Sequence, residues 1–210
     1  AYYFLSQIFV LISFYFVWKL SNKIFENRTY SLLSVLLLAG IYFYNFTTPE
    51  FNVNVSQLPF WALSVYFFWK SFNLNKNVDW ILFGIFSALG FLSKYLFIYL
   101  LVSIDLLFIY LIFIKKERKF DFKYLITIEV FLVILVPHLI WLNNNDFITI
   151  TYGLARTGLE EANLIDHFKF PLLFIGKQIG ILIPFFILII LLVKKIYFKI
   201  NFKDKNLLFL

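Results

Sequence analysis

Residues 80–114 read WILFGIFSALGFLSKYLFIYLLVSIDLLFIYLIFI, and this apolar stretch decides the fold. As a single helix it would be about 50 Å long, whereas the hydrocarbon core of a membrane is about 30 Å thick. Lys94, near the middle of the stretch, would be costly inside that core. We therefore predict two membrane spans that meet near residues 90–95, with Lys94 in the turn between them at one membrane surface.

The composition of the whole chain predicts an integral membrane protein. The 210 residues are 62% hydrophobic and have a mean hydropathy of +0.85, whereas soluble domains are about 45–50% apolar. The absence of Cys excludes disulfides and thiolate metal sites, and two His are too few for a convincing zinc site. Because the chain contains no Met and begins with Ala1, we expect it to be an internal piece of a larger membrane protein.

Apolar segments separated by polar ones predict an all-α, polytopic transmembrane helix bundle of about seven spans. The predicted spans are residues 3–18, 31–46, 58–72, 80–92, 95–114, 124–142 and 171–193. Of the 19 basic residues, all but Lys94, Arg156, Lys169 and Lys177 fall on one side of this arrangement. By the positive-inside rule that side is cytoplasmic.

The opposite side of the membrane is then the outside or periplasm, and it receives the polar loops 47–57 and 143–170. The net charge of +7 lies mostly on the cytoplasmic side. There, basic residues set orientation and contact lipid headgroups, so we do not expect nucleic-acid binding.

Of the four basic residues outside the cytoplasmic side, we group three into a candidate site: Lys94, Arg156 and Lys177. Together with nearby amides and tyrosines they suit an anionic headgroup, and phosphate is the natural candidate. Simpler roles remain open, because Lys94 could snorkel to the interface and Arg156 could be a solvated loop residue. Asn54 could cap the third span.

Other polar residues have plain structural interpretations beside the functional ones. His138 and Trp141 are interpreted as packed or interfacial side chains at the end of the sixth span. Asp105 and Glu129 lie inside predicted spans, where acids are functional candidates by default, although both could instead bond to other polar groups inside the bundle.

Several separated motifs resemble those of a known family. In chain order they are Asn52-Val53-Asn54 before Leu58-Pro59-Phe60-Trp61; Trp80, Gly84, Gly90 and Leu92-Ser93-Lys94-Tyr95; Pro137, Ile140-Trp141 and Asn143; Tyr152 and Arg156; and Gly176, Gln178 and Pro184. Their order and spacing over residues 50–190 resemble the GT-C membrane glycosyltransferases of the protein O-mannosyltransferase and aminoarabinose-transferase type.

The resemblance implies transfer of a sugar from a polyprenyl-phosphate donor to a lipid, glycan or protein acceptor at the non-cytoplasmic face. It also implies that residues 1–210 form part of one transmembrane glycosyltransferase domain. The N-terminal catalytic loop and the C-terminal remainder of that domain are expected outside this chain. The host membrane would be the bacterial inner membrane, with the active face periplasmic or external. No metal or cofactor is assigned.

The resemblance also implies roles for individual residues. The catalytic acid is expected upstream of this chain, with Glu50 as a weak substitute. Lys94, Arg156 and Lys177 would bind the donor phosphate. The residues expected to line the substrate pocket are Asn54, Tyr95, Asn143, Tyr152 and Gln178.

Two other functions stay open on the sequence. A transporter or flippase would also place acids such as Asp105 and Glu129 within the membrane, although no internal repeat is visible. A non-catalytic membrane subunit is the third possibility. The sugar and the acceptor cannot be named.

Overall fold

The protein is a bundle of helices in a computed structural model that describes residues 2–155 and 165–192. The α-helices are α1 (Tyr2–Phe25), α2 (Arg28–Ala39), α3 (Tyr42–Asn45), α4 (Val53–Leu74), α5 (Asn77–Ser93), α6 (Ile98–Ile109), α7 (Lys123–Asn144), α8 (Ile148–Ala155) and α9 (Asp166–Leu192). A 3-10 turn, Tyr95–Phe97, precedes α6, and a π-helical turn, Tyr110–Ile114, follows it. Each predicted span except the second corresponds to one helical segment, so the all-α membrane fold is confirmed.

Four segments in the described ranges have the length and composition to cross a membrane. They are Tyr2–Phe25, Tyr95–Ile114, Lys123–Asn144 and Asp166–Leu192. The helices α2 and α5 are apolar but shorter. Helix α4 is 22 residues long but includes Asn54, Gln57 and Lys70.

The second predicted span, residues 31–46, was expected to be continuous, and the structure breaks it. Helix α2 ends at Ala39, and the short α3 starts again at Tyr42. At Gly40, α9 approaches so closely that an added Cβ would lie 2.5 Å from Leu188 Cδ1 and 3.2 Å from Phe185 Cα. The break therefore coincides with the contact that holds α9 against α2 and α3.

Neighbouring helices form a row in the order α9, α2, α1, α4, α5, α7. The core fills the middle of this row with aromatic rings from α4, α5 and α6, among them Phe68, Trp80, Phe83 and Phe108. Small residues bring α5 and α7 together: an added Cβ on Gly84 would lie 2.8 Å from the Thr127 carbonyl oxygen. The Thr127 hydroxyl in turn donates to the Trp80 carbonyl at 2.9 Å. Such close packing of small residues is typical of membrane helices.

Polar contacts gather at one end of the bundle, which we call the basic end because the α4–α5 turn and the α6–α7 loop carry most of its lysines. The Lys70 Nζ lies 2.7 Å from Asp79 Oδ1. The Asn75 amide donates to Asp121 Oδ2 at 2.6 Å, and Lys123 Nζ donates to the Asn75 carbonyl at 3.1 Å. The hydrogen bond from Asn75, helped by the Lys123 backbone N–H, lowers the pKa of Asp121, which lies in the loop outside the spans.

We call the opposite end of the bundle the loop end. It contains residues 46–52, the turn after α5 and the α7–α8 junction. The Tyr2 hydroxyl donates to the Phe51 carbonyl at 2.7 Å, and Ser6 donates to the Thr48 carbonyl. Lys94 and Tyr95 make contacts at this same end. Within the described ranges, the two ends agree with the separation of basic and polar loops predicted from charge.

Candidate functional site at the Lys94 turn

The predicted break of residues 80–114 into two helical segments is confirmed, because the first helix stops where Lys94 was expected to turn. Helix α5 ends at Ser93, and Lys94 adopts an extended backbone with φ −162° and ψ 126°. Its N–H donates to the Gly90 carbonyl at 3.2 Å, and its own carbonyl accepts from the Phe97 N–H at 2.9 Å. Lys94 is thus held in a hydrogen-bonded turn at the loop end.

Gly90 leaves the space that the turn needs. The Phe97 side chain is fully buried and packs edge-to-face on Trp61, with ring centroids 5.6 Å apart. An added Cβ on Gly90 would overlap the Phe97 ring, with Cε1 at 2.7 Å. Because Gly90 has no side chain, the Phe97 ring can fill this space, and it anchors the residues that follow Lys94 in the core.

We expect Gly90→Ala to lower the free energy of unfolding by about 1–3 kcal/mol, since the buried Phe97 ring must move. The measurement is the unfolding midpoint of the purified protein in detergent. Gly180→Ala is the matched control, because nothing lies within 4 Å of a Cβ there and alanine favours a helix. Equal midpoints for the two variants would contradict the packing role of Gly90.

The Lys94 ammonium donates to the Asn54 side-chain oxygen at 2.6 Å. The N-cap of α4 is Asn52, whose side chain accepts from the N–H groups of Asn54 and Val55. The interpretation of Asn54 as the cap is therefore wrong, and the Asn54 side chain instead accepts the hydrogen bond from Lys94. Both side chains are half-buried, and among the described residues Lys94 forms no salt bridge.

The Tyr95 hydroxyl lies between two partners on other elements. It is 2.6 Å from His138 Nε2 near the end of α7 and 2.8 Å from the Thr149 hydroxyl in α8. The His138 ring stacks on Trp141 with an interplanar angle of 13°. One tyrosine thus links the turn after α5 to both α7 and α8.

Among the described residues, no hydrogen bond, ion pair or ring contact joins the other predicted site residues to this cluster. Glu50 is exposed in the loop before α4, Asn143 is exposed near the end of α7, and Tyr152 is 66% exposed on α8. Lys177 is exposed and Gln178 half-buried on α9, a helix that packs on α2 and α3. Arg156 lies outside the described residues.

The two acids within the spans are both exposed on the bundle surface. Asp105 accepts a hydrogen bond from the Tyr124 hydroxyl, and Glu129 lies on an exposed part of α7. The expectation that both face the bundle interior is wrong, although the bond to a tyrosine is present for Asp105. Across the ranges that the structure describes, no group of three His, Asp or Glu side chains could hold a metal ion.

Sequence reasoning did not place His138 or Thr149 in the site. His138 was interpreted as a packed or interfacial residue, and nothing in the pattern around Thr149 distinguished it from other loop hydroxyls. The available signal was the position of His138 five residues before Asn143, at the same predicted membrane surface as Tyr95.

A sequence model of the family described as dolichyl-phosphate-mannose-protein mannosyltransferase matches residues 1–141. That range contains Asn54, Lys94, Tyr95 and His138 but not Asn143, Tyr152, Lys177 or Gln178.

One curated relative is the lipopolysaccharide core galacturonosyltransferase RgtA of Rhizobium johnstonii. It is 24% identical over 141 residues, which cover 67% of this chain and 28% of RgtA. The chain therefore spans less than a third of the length of this relative. No solved structure matches the chain significantly.

Proposed function

This chain belongs to the dolichyl-phosphate-mannose-protein mannosyltransferase family of GT-C membrane glycosyltransferases, and on that premise we propose that it takes part in transferring a sugar from a polyprenyl-phosphate donor. The acceptor is an envelope lipid, glycan or protein. Residues 1–210 form part of one transmembrane transferase domain, and the loop end faces the periplasm or exterior.

A single observation carries this proposal: Lys94 is a half-buried cation at the loop end whose partner is a neutral amide. A lysine near the membrane surface is costly unless it meets water or an anion. Because Asn54 brings no charge, the positive charge of Lys94 is available to a lipid-borne phosphate. We assign the donor phosphate to Lys94, with Arg156 and Lys177 as further candidates.

A lysine at this position can stabilise the phosphate that leaves during sugar transfer. When the bond between sugar and phosphate breaks, the leaving phosphate gains negative charge. A cation already fixed beside it stabilises that charge most strongly in the transition state. Asn54, Tyr95, Asn143, Tyr152 and Gln178 remain candidates for the pocket that holds sugar and acceptor, with the acid or base supplied upstream or, as a weaker candidate, by Glu50.

The test is a panel of radiolabelled polyprenyl-phosphate sugars added to membranes that carry the full-length protein. We expect one donor to be consumed with release of polyprenyl phosphate and transfer of label to an acceptor. Membranes with an empty vector give the background. If the protein is inserted at normal levels and consumes no donor in the panel, the proposal is overturned in favour of a non-catalytic subunit or a transporter.

The proposed orientation has its own test, because the chain contains no cysteine. Glu50 and Lys119 are both exposed, at the loop end and the basic end respectively. With a membrane-impermeant maleimide, we expect Glu50→Cys to be labelled in intact spheroplasts and Lys119→Cys only after permeabilisation. The reverse pattern would contradict the outward placement of the Lys94 turn.

A further inference from the structure

The Tyr95 hydroxyl is the point where three segments of the loop end meet. It contacts His138 Nε2 at 2.6 Å and the Thr149 hydroxyl at 2.8 Å. All three side chains are half-buried. A hydroxyl that is both donor and acceptor can satisfy both partners at once, whichever tautomer His138 adopts.

The position of Lys94 depends on the same turn. One peptide bond separates Lys94 from Tyr95, and Phe97 holds the far side of the turn in the core. The bonds from Lys94 to Gly90 and from Phe97 to Lys94 are internal to the turn. The Tyr95 hydroxyl is therefore a direct side-chain link from the turn to both α7 and α8.

The α7–α8 junction, which positions Thr149, has an unfavourable backbone conformation. Asp146 and Phe147, between α7 and α8, have φ of 50° and 53°. A positive φ is uncommon for a residue with a side chain, and it persists only where surrounding contacts hold it. The Phe147 N–H donates to the Leu142 carbonyl at 2.9 Å, and the contact between Thr149 and Tyr95 is a second restraint on this junction.

We propose that His138 and Thr149 are positioning residues that act through Tyr95 to hold the Lys94 ammonium where the donor phosphate arrives. The proposal rests on the proposed function, because Lys94 is assigned to the phosphate there. It adds that the α7–α8 junction and the lysine turn move as one unit. A lipid phosphate bound at Lys94 is thereby coupled to the α7–α8 junction.

A packing role alone would give a different response to substitution. His138 also stacks on Trp141, so any small residue at 138 disturbs packing. The hydrogen bond can be separated from packing by comparing His138→Gln, whose amide reaches the place of Nε2, with His138→Asn, whose amide is too short. Thr149→Ser keeps the hydroxyl, whereas Thr149→Val removes it and keeps the shape.

The first readout does not depend on transfer. Lys94→Cys is made in the full-length protein without other cysteines, and the rate of reaction with an anionic thiosulfonate is measured in membranes. We expect His138→Asn and Thr149→Val to raise this rate at least about threefold, since losing one hydrogen bond loosens the turn by such a factor. His138→Gln and Thr149→Ser should stay within about twofold of the parent.

The second readout uses the protein with Lys94 intact and an active donor from the panel. We expect His138→Asn and Thr149→Val to raise the KM for the donor about tenfold, with His138→Gln and Thr149→Ser near the parent. Unchanged thiol rates in both His138→Asn and Thr149→Val would overturn the positioning role. If no donor is consumed while the thiol rates shift as expected, the positioning stands and the proposed function fails.

Discussion

Lys94→Ala is expected to reduce sugar transfer at least about 100-fold while the protein still inserts into the membrane at its normal level. The reason is that a preorganised group facing the developing charge of the leaving phosphate contributes about 10²–10³ in rate. The measurement is release of polyprenyl phosphate from the donor, in membranes that carry equal amounts of each variant.

Two controls make the Lys94 result specific. Lys94→Arg keeps the positive charge but replaces the ammonium by a planar guanidinium with a different hydrogen-bonding geometry. This variant should therefore retain part of the transfer activity. Lys76→Ala removes an exposed lysine at the basic end and should leave transfer unchanged. If Lys94→Ala transfers sugar at the normal rate, Lys94 does not bind the donor phosphate. The mechanism that we propose would then be contradicted.

Lys70→Met is expected to be the most destabilising substitution at the basic end. The Asp79 side chain is 2% exposed, and its Oδ1 lies 2.7 Å from Lys70 Nζ. Its buried Oδ2 has no hydrogen-bond partner in the part of the chain that the structure describes. Removing the lysine leaves a carboxylate in an apolar environment without its cation. Breaking a buried pair in this way costs about 3–5 kcal/mol.

We expect a loss of about 3 kcal/mol in the free energy of unfolding for Lys70→Met, the low end of that range. The Lys70 side chain is partly solvated, and Asp79 can take up a proton instead of staying charged. The measurement is chemical unfolding of the purified protein in mixed micelles. Lys76→Met, in the adjoining α4–α5 turn but exposed, should change stability by less than about 0.5 kcal/mol.

The double variant Lys70→Met with Asp79→Asn tests the origin of the loss. Replacing the carboxylate by a neutral isostere removes the stranded charge, so much of the lost stability should return. Failure of this rescue, with Lys70→Met still destabilised, would mean that the Lys70 ammonium contributes through its cation–π contact with the Phe67 ring rather than by pairing with Asp79.

The parts of the fold that follow from hydrophobicity and charge could be predicted from the sequence. A 35-residue apolar run cannot be one span, so the break at Lys94 follows from membrane thickness alone. The separation of the basic end from the loop end follows from the alternation of charged loops. These properties are set by the chain and the bilayer, and they need no knowledge of which helices touch.

Features that depend on contacts between distant segments could not be predicted. The interruption of the second span at Gly40 coincides with the approach of Leu188, which is 148 residues further along the chain. Asn52 and Asn54 are the same residue type and therefore equally good N-caps. Only the structure shows that Asn52 is the N-cap of α4. The link from Tyr95 to His138 and Thr149 depends on the packing of α7 and on the backbone after it.

The candidate site was predicted in part. Lys94 and Asn54 were both named from the sequence, and the structure brings them into contact. Lys177 and Gln178 were grouped with them because the seventh span was expected to contribute to the same surface. They lie on α9, whose helix neighbours are α2 and α3, so shared placement on one side of a membrane did not imply a shared pocket.

If Lys94 binds the carrier phosphate as we propose, the choice of asparagine at position 54 has a consequence for turnover. A carboxylate there would compete with every incoming lipid for the ammonium, and each catalytic cycle would have to separate and rebuild an ion pair. The amide dipole steadies the lysine between cycles yet releases it at little cost, and it does not repel the spent carrier as a second anion would. Ligand exchange at Lys94 can therefore be fast in both directions.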